Sequence, residues 1–337
     1  MQSSEKVILV FRFSAMGDVA MTVPVLRQIV ELNPDQHFVM ISDQRFECLF
    51  QEIKGLKFEG FDLKAHYKGF FGILRIFRYL NNKYNVDAIV DLHDVLRTRL
   101  LRNLFKLFQK RICVIEKGRA VKHALTRKNG KNLIALPHTV QRYLDCFKLL
   151  NIQIDQALLN QPLIDRKPSV SDIRKIGFAP FAKHSNKIFP LEKMYEVVAH
   201  FDREGYMLYF FGSGEFEKQV LNDWETKTIH VLINQTSLSL SEELQLISTL
   251  DLMVTMDSAN MHLASNMNVP VVSVWGPTHP YAGFYGFRQH PNNIVQLDLP
   301  CRPCSVYGNK PCWRGDHACM REIKPKDIIA KMEALLN

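Results

Sequence analysis

The chain has 337 residues, 47% hydrophobic and 23% charged, with 43 Lys+Arg against 34 Asp+Glu. That is long enough for two domains with cores of their own, and the composition is that of a globular protein rather than a disordered or fibrous one. No run of 18 apolar residues occurs, which excludes a membrane-spanning helix.

The charge is uneven. Residues 1–168 hold 27 bases and 16 acids, and residues 169–337 hold 16 and 18. Between Arg97 and Lys131 stand twelve bases and one acid, Glu116. A field of that sign gathers an anionic partner: a phosphorylated glycolipid, a membrane surface or a nucleic acid. The first residues lack the layout of a signal peptide, so the expected location is the cytoplasm. Seven cysteines, an odd number, argue there against a disulfide framework.

In chain order, residues 7–13 read as an apolar strand and 19–31 as a helix with Pro24 in its early turns. Residues 37–41 and 88–92 are strands, and 143–150 is the end of a helix. Residues 152–170, polar and proline-bearing, form the linker. The second half repeats the scheme: strand 175–180, helix 191–203 closed by Gly205, strand 206–211, the turn Gly212-Ser213-Gly214, strand 229–233, helix 241–250, strand 252–256, helix 258–266 and strand 269–275. Such alternation means parallel α/β sheets. The expected division is a first domain over 1–165, a second over 166–325, and a terminal helix over 326–337 packing back across both.

Ligands of open α/β sheets bind beyond the carboxyl ends of strands. In the first half that turn is Ser14-Ala15-Met16-Gly17-Asp18. Gly17 permits close backbone approach, and Asp18 stands at a helix start as a general base or, more plainly, a cap. In the second half Asp257 ends a strand and Ser258-Ala259-Asn260 opens a helix. Free N–H groups there suit a phosphate, with His262 one turn in; an ordinary cap worth about 1 kcal/mol is the plain alternative. Lys183 and Lys187, on the turn after strand 175–180, are suited to neutralising a diphosphate. Gly212, Ser213 and Glu215 form a partial glycine fingerprint in which Glu215, with Glu217 close behind, is placed to accept ribose hydroxyls. The two turns, far apart in sequence, suggest two ligand-binding halves facing one cleft.

FRFSAMGDVAMTVPVLRQI at residues 11–29, NKIFPLEKM, FGSGE, DSANMHLASNMNVPVVSVWGPT and the cysteine-rich tail resemble glycosyltransferase family 9, the bacterial heptosyltransferases. The match runs in order over most of the chain; residues 45–170 match only in pattern. The resemblance implies a GT-B architecture: two facing Rossmann-like domains. It implies inverting, metal-independent transfer of a heptose from ADP-heptose to the lipopolysaccharide inner core, with no cofactor. Asp18 takes the base role; Arg12, just before that turn, holds phosphate or acceptor, and Ser14 and Gly17 on the turn fall to the acceptor. Lys187 takes the diphosphate, Asp257 the sugar hydroxyls, and Ser258, Ala259, Asn260 and His262 surround the phosphates. Leu238 is placed to touch adenine. Two departures are Ala259, where the family has glycine, and Phe189, where it has tryptophan.

The acceptor implied is anionic lipid A with its inner core, contacted by Arg97, Arg99 and Arg142, with peripheral contact at the inner membrane and no nucleic acid. The stretches from Gly69 and from Arg97 mix aromatic and basic residues. Either would suit a membrane surface or, more plainly for the second, a helix on its own sheet. Cys301, Cys304, Cys312 and Cys319 are spaced in part like a zinc set, although the second pair is wide; free or paired thiols are the alternative. Two other readings stand beside the transferase. A nucleotide-sugar 2-epimerase of the same architecture needs no basic acceptor half. A basic nucleic-acid binder with a zinc tail leaves Asp18, Lys187 and Asp257 without purpose.

Overall fold

The structure is a computed structural model, and it describes residues 5–157, 173–234 and 238–337. The expected domain boundary at 165 and most of the expected linker lie outside them. The chain divides into two compact units, one of Met1–Lys117 with Thr139–Gln161, the other of Gly118–His138 with Pro162–Asn337.

Unit 1 carries β1 (Lys6–Phe11), β2 (His37–Asp43), β3 (Leu56–Phe61), β4 (Asn85–Asp91) and β5 (Arg111–Val114) in one sheet ordered β3-β2-β1-β4-β5. Every pairing is parallel. The central strands are buried on both faces, as parallel sheets require. Between the strands run α1 (Met16–Ala20), α2 (Val23–Leu32), α3 (Gly69–Lys83) and α4 (Leu96–Leu107). The single helix expected over 19–31 is two. α1 stops at Ala20, Thr22 Oγ1 donates to Val19 O at 2.7 Å, and Pro24 takes the second position of α2, where its missing N–H costs nothing. α4 packs Leu101 and Phe105 into the core of its own sheet and exposes Arg99 and Lys106, the plainer of the two readings of that stretch.

Unit 2 begins with α5 (Arg119–Leu125), after which α6 (Thr139–Lys148) returns to unit 1. Gly118–His138, assigned to the first domain by the sequence reading, packs instead with unit 2. Lys122 Nζ lies 4.2 Å from the Phe284 ring, Leu136 N–H donates to Tyr281 O at 2.8 Å, and Lys131 Nζ donates to the Cys301 and Pro303 carbonyls at 2.7 and 2.8 Å.

The second sheet holds β6 (Lys175–Ala179), β7 (Met207–Phe210), β8 (Val231–Asn234), β9 (Leu252–Met256), β10 (Val271–Trp275) and β11 (Ile294–Gln296), ordered β11-β10-β9-β6-β7-β8. Counted from its own first strand, this is the dinucleotide-fold order 3-2-1-4-5-6. Its helices are α7 (Leu191–Arg203), α8 (Glu215–Thr226), α9 (Leu240–Ser248), α10 (Ala259–Asn266), α11 (Ala318–Arg321) and α12 (Pro325–Leu336). The terminal helix, expected to span both domains, buries Ile328, Met332 and Leu336 in the core of unit 2, against α7.

Candidate functional site

Each sheet reverses its strand order once, between β1 and β4 in unit 1 and between β6 and β9 in unit 2. Such a reversal opens a crevice at the carboxyl ends of the two strands. Register sets the exits side by side: Phe11 pairs with Asp91, and Ala179 with Thr255. The turns carrying Asp18, Lys187 and Asp257 lie at these two places, and the Gly212–Glu215 turn follows β7, one strand further along.

In unit 1 the Asp18 carboxylate is the third residue of α1. Its Oδ2 meets an Arg12 Nη at 2.5 Å and accepts the Ala15 N–H at 3.3 Å. Oδ1 has no hydrogen bond among the described residues. Arg12 is buried and held from three sides: it donates to Leu92 O at 2.7 Å, pairs with Asp18, and lies 5.9 Å from the centre of the Tyr143 ring. Ser14 is exposed and Gly17 half-buried on the same turn.

The turn after β4 adds residues that sequence reasoning missed. Asp91, fully buried, accepts N–H groups of His93 and Asp94 at 2.9 and 2.8 Å and an Arg102 Nη at 2.6 Å. Asp94, at φ +43°, takes the Arg99 guanidinium in a two-pronged pair at 2.9 and 3.1 Å. His93 Nδ1 accepts the Phe13 N–H at 3.4 Å. Burial first, then Arg12, Lys117 and Arg97, push its pKa down to about 2, so the ring is neutral. The signal was present: Asp91-Leu92-His93-Asp94 is a polar turn at the end of a recognised strand.

The three expected acceptor arginines separate here. Arg99 is engaged by Asp94, and buried Arg142 donates to Lys117 O at 3.0 Å, bracing the chain after β5. Arg97, half-buried, makes no ion pair among the described residues.

In unit 2, Lys187 Nζ donates to Asp257 Oδ2 at 3.2 Å and to the Asp257 carbonyl. Both side chains are only 12% exposed. Lys183 is exposed on the same turn. The helix start at Ser258 has no side-chain cap, and Ser258 Oγ is buried without a hydrogen-bond partner. The plain N-cap alternative therefore fails here. Half-buried Ala259 and Asn260 leave the first-turn N–H groups approachable, and buried His262 follows one turn later. Phe189 is fully buried in the core, so that departure from the family pattern is a packing change.

After β7, Gly214 sits at φ +87°, a conformation that needs glycine. A Cβ at Gly212 would lie 2.9 Å from Leu221. Ser213 N–H donates to Glu217 Oε2 at 2.7 Å, which occupies Glu217 and leaves exposed Glu215 the better ribose candidate. Leu238 is half-buried just ahead of α9, whose cap is the reciprocal Ser239–Glu242 pair.

The cysteine segment proves to be a clamp. Buried Arg302 donates to the carbonyls of Gly276, Leu297 and Thr278 and to Gln296, holding the loop after β10. Gly308, at φ +80°, lies against the Lys187 stem, where a Cβ would come within 2.4 Å of Cγ. Asn186 Nδ2 donates to Lys310 O at 2.8 Å. Burial pushes the Cys304 thiol up and the Cys319 thiol up to about 11. Among the described residues no three metal-ligating side chains gather to hold an ion, so the zinc alternative gains no support.

Residues 73–312 match the model of glycosyltransferase family 9 (heptosyltransferase). The lipooligosaccharide heptosyltransferase 2 of Campylobacter jejuni subsp. jejuni serotype O:2 is 25% identical over 328 residues, 95% of each chain. Among solved structures, the glycosyl transferase family 9 protein of Veillonella parvula superposes with TM-score 0.74 at 20% identity, over 98% of this chain and 97% of that one. The E. coli heptosyltransferase WaaC with ADP gives 0.70 at 18% identity, over 98% and 99%. These likenesses establish the architecture as GT-B, with two Rossmann-like domains.

Proposed function

Because the chain belongs to glycosyltransferase family 9, the heptosyltransferases, we propose that it moves a heptose from ADP-heptose to the anionic inner core of lipopolysaccharide or lipooligosaccharide, with inversion at the anomeric carbon. The observation that carries the reading is Asp18: a carboxylate on the exit turn of β1, fixed through Oδ2 by Arg12 and Ala15, with Oδ1 unengaged.

The acceptor hydroxyl attacks the anomeric carbon as its proton passes to Asp18 Oδ1. The bond from that carbon to the β-phosphate oxygen breaks, and its electron pair leaves with ADP. Attack opposite the leaving group inverts the centre. Positive charge grows on the ring, as in glycoside hydrolysis. Negative charge grows on the diphosphate, where Lys187, aimed by Asp257, and the uncapped start of α10 supply compensating charge; fixed donors of this kind contribute about 3 kcal/mol each. Glu215 takes ribose hydroxyls, Leu238 the adenine, and Ser258, Asn260 and His262 the phosphates. Arg12, Arg97 and Lys117 favour a phosphorylated acceptor. The reaction runs without a metal and at the cytoplasmic face of the inner membrane; no helix among the described residues is long and apolar enough to cross a membrane.

The nucleic-acid reading leaves the Asp18 turn and the Lys187–Asp257 pair without purpose, and within the basic run Arg99 and Arg102 are engaged by Asp94 and Asp91, Lys131 by carbonyls, and Lys122 is buried. The test is incubation with ADP-heptose and a heptose-deficient inner-core acceptor. One ADP released per heptose transferred, insensitive to chelator, is expected. Unreacted ADP-heptose alongside epimerised UDP-sugar, or binding of oligonucleotide alone, would overturn the reading.

A further inference from the structure

We propose that the first turn of α3 and the loop before it are a docking surface for an anionic lipid bilayer. Phe70 and Phe71 open this helix and are 56% and 75% exposed, their rings packed on each other at 6.0 Å. Residues of this kind left in water mark an interaction surface.

The surrounding backbone is held in place. Asp62 Oδ1 accepts the N–H groups of Lys64 and Ala65 at 3.0 Å each, and Tyr67 N–H donates to Asp62 O at 2.9 Å. Gly72 lies so close to the Tyr67 backbone that a Cβ would come within 2.2 Å of its carbonyl carbon. Ile73, Ile76 and Leu80 anchor the inner face of the helix in the core. The outer face then repeats Phe71, Arg75 and Arg78 at positions i, i+4 and i+7, all exposed.

Charge selects the occupant. Between Leu63 and Val86 there is no acid, and there are five bases: Lys64, Lys68, Arg75, Arg78 and Lys83. Only Lys83 forms an ion pair among the described residues, with Glu59 at 2.5 Å. Two protruding aromatic rings bordered by four unengaged cations match the layout of an interfacial anchor, with apolar groups at the acyl boundary and cations at acidic headgroups. The turn leaves the carboxyl end of β3, the same edge from which β1 leads to Asp18. β3 stands two strands from β1, about 10 Å across the sheet. Docking here would hold that edge of unit 1 against the lipid surface. The inference goes beyond the transferase reading and does not need it, since vesicle binding is measured without donor or acceptor.

The experiment is flotation of the whole protein with unilamellar vesicles of phosphatidylglycerol and phosphatidylethanolamine, and separately of phosphatidylcholine. Binding to the anionic vesicles alone is expected, weakening with salt. The F70S/F71S variant should lose about tenfold or more in partitioning, and R75Q/R78Q severalfold, with thermal melts unchanged because all four side chains are exposed. Three results would overturn the proposal: wild-type protein that ignores anionic vesicles, an F70S/F71S variant that binds as well as wild type, or a wild-type dimer that this variant turns into a monomer, which would make a second copy the occupant.

Discussion

Asp18 and His93 stand on adjacent strand exits and are governed by the same cation. Arg12 grips the Asp18 carboxylate at 2.5 Å and is among the charges that keep His93 neutral. The position of Asp18 was legible in the sequence, because Gly17-Asp18 lies on the polar turn that follows an apolar strand. The turn holding His93 was legible too, but the neutrality of its ring was not, because that comes from burial and from an N–H supplied by Phe13, eighty positions away. That burial has a consequence for stability. The unfolded chain protonates His93 near its ordinary value of 6.5, while the folded chain resists until about pH 2. The unfolded state therefore binds more protons as pH falls below 6.5, and stability drops at up to about 1.4 kcal/mol per pH unit. His279, pushed down to about 4 mainly by burial, adds to the same trend. Chemical denaturation between pH 6.5 and 4.5 should show this slope. His93→Asn, which keeps an acceptor for Phe13 but cannot charge, should flatten it by on the order of 1 kcal/mol per pH unit; an unchanged slope would refute the assignment.

At the scale of elements, long buried strands and strongly periodic helices were readable: α7 and β9 fall at the residues expected. β3 and β5 were not, being short edge strands with exposed or half-buried residues that carry no apolar run. The tail left zinc and free or paired thiols both open, because spacing alone cannot tell a ligand set from a buckle. Its contacts with Lys187 and the Gly276 loop emerge only in the fold. Gly308 gives the sharpest test of that buckle. Gly308→Ala pays the left-handed backbone penalty of about 1–2 kcal/mol and also drives a methyl into the Lys187 stem. Gly315→Ala carries a matching penalty at φ +81° with nothing within 4 Å. Calorimetry should find ADP affinity reduced about tenfold by the first substitution, one charge-assisted contact weakened, and unchanged by the second. Equal effects would mean that the tail does not position Lys187.

For the whole molecule, the alternation of strands and helices was enough to give two parallel α/β sheets, and turn chemistry was enough to put Asp18, Lys187 and Asp257 at the carboxyl ends of the strands that form the switch points. The excursion of Gly118–His138 into unit 2 was not readable, since it rests on contacts such as Lys131 with the Cys301 carbonyl across 170 positions. The carboxylate at Asp18 is the group on which the proposed transfer depends. Asp18→Asn leaves an oxygen to accept from Ala15 and Arg12 but removes the proton acceptor, so the chain should fold and bind ADP as before. The decisive measurement is the initial rate of heptose transfer by this variant at saturating ADP-heptose. A fall of about 10²- to 10⁴-fold with ADP affinity intact is the predicted result; a rate within a few-fold of the unsubstituted protein would contradict it.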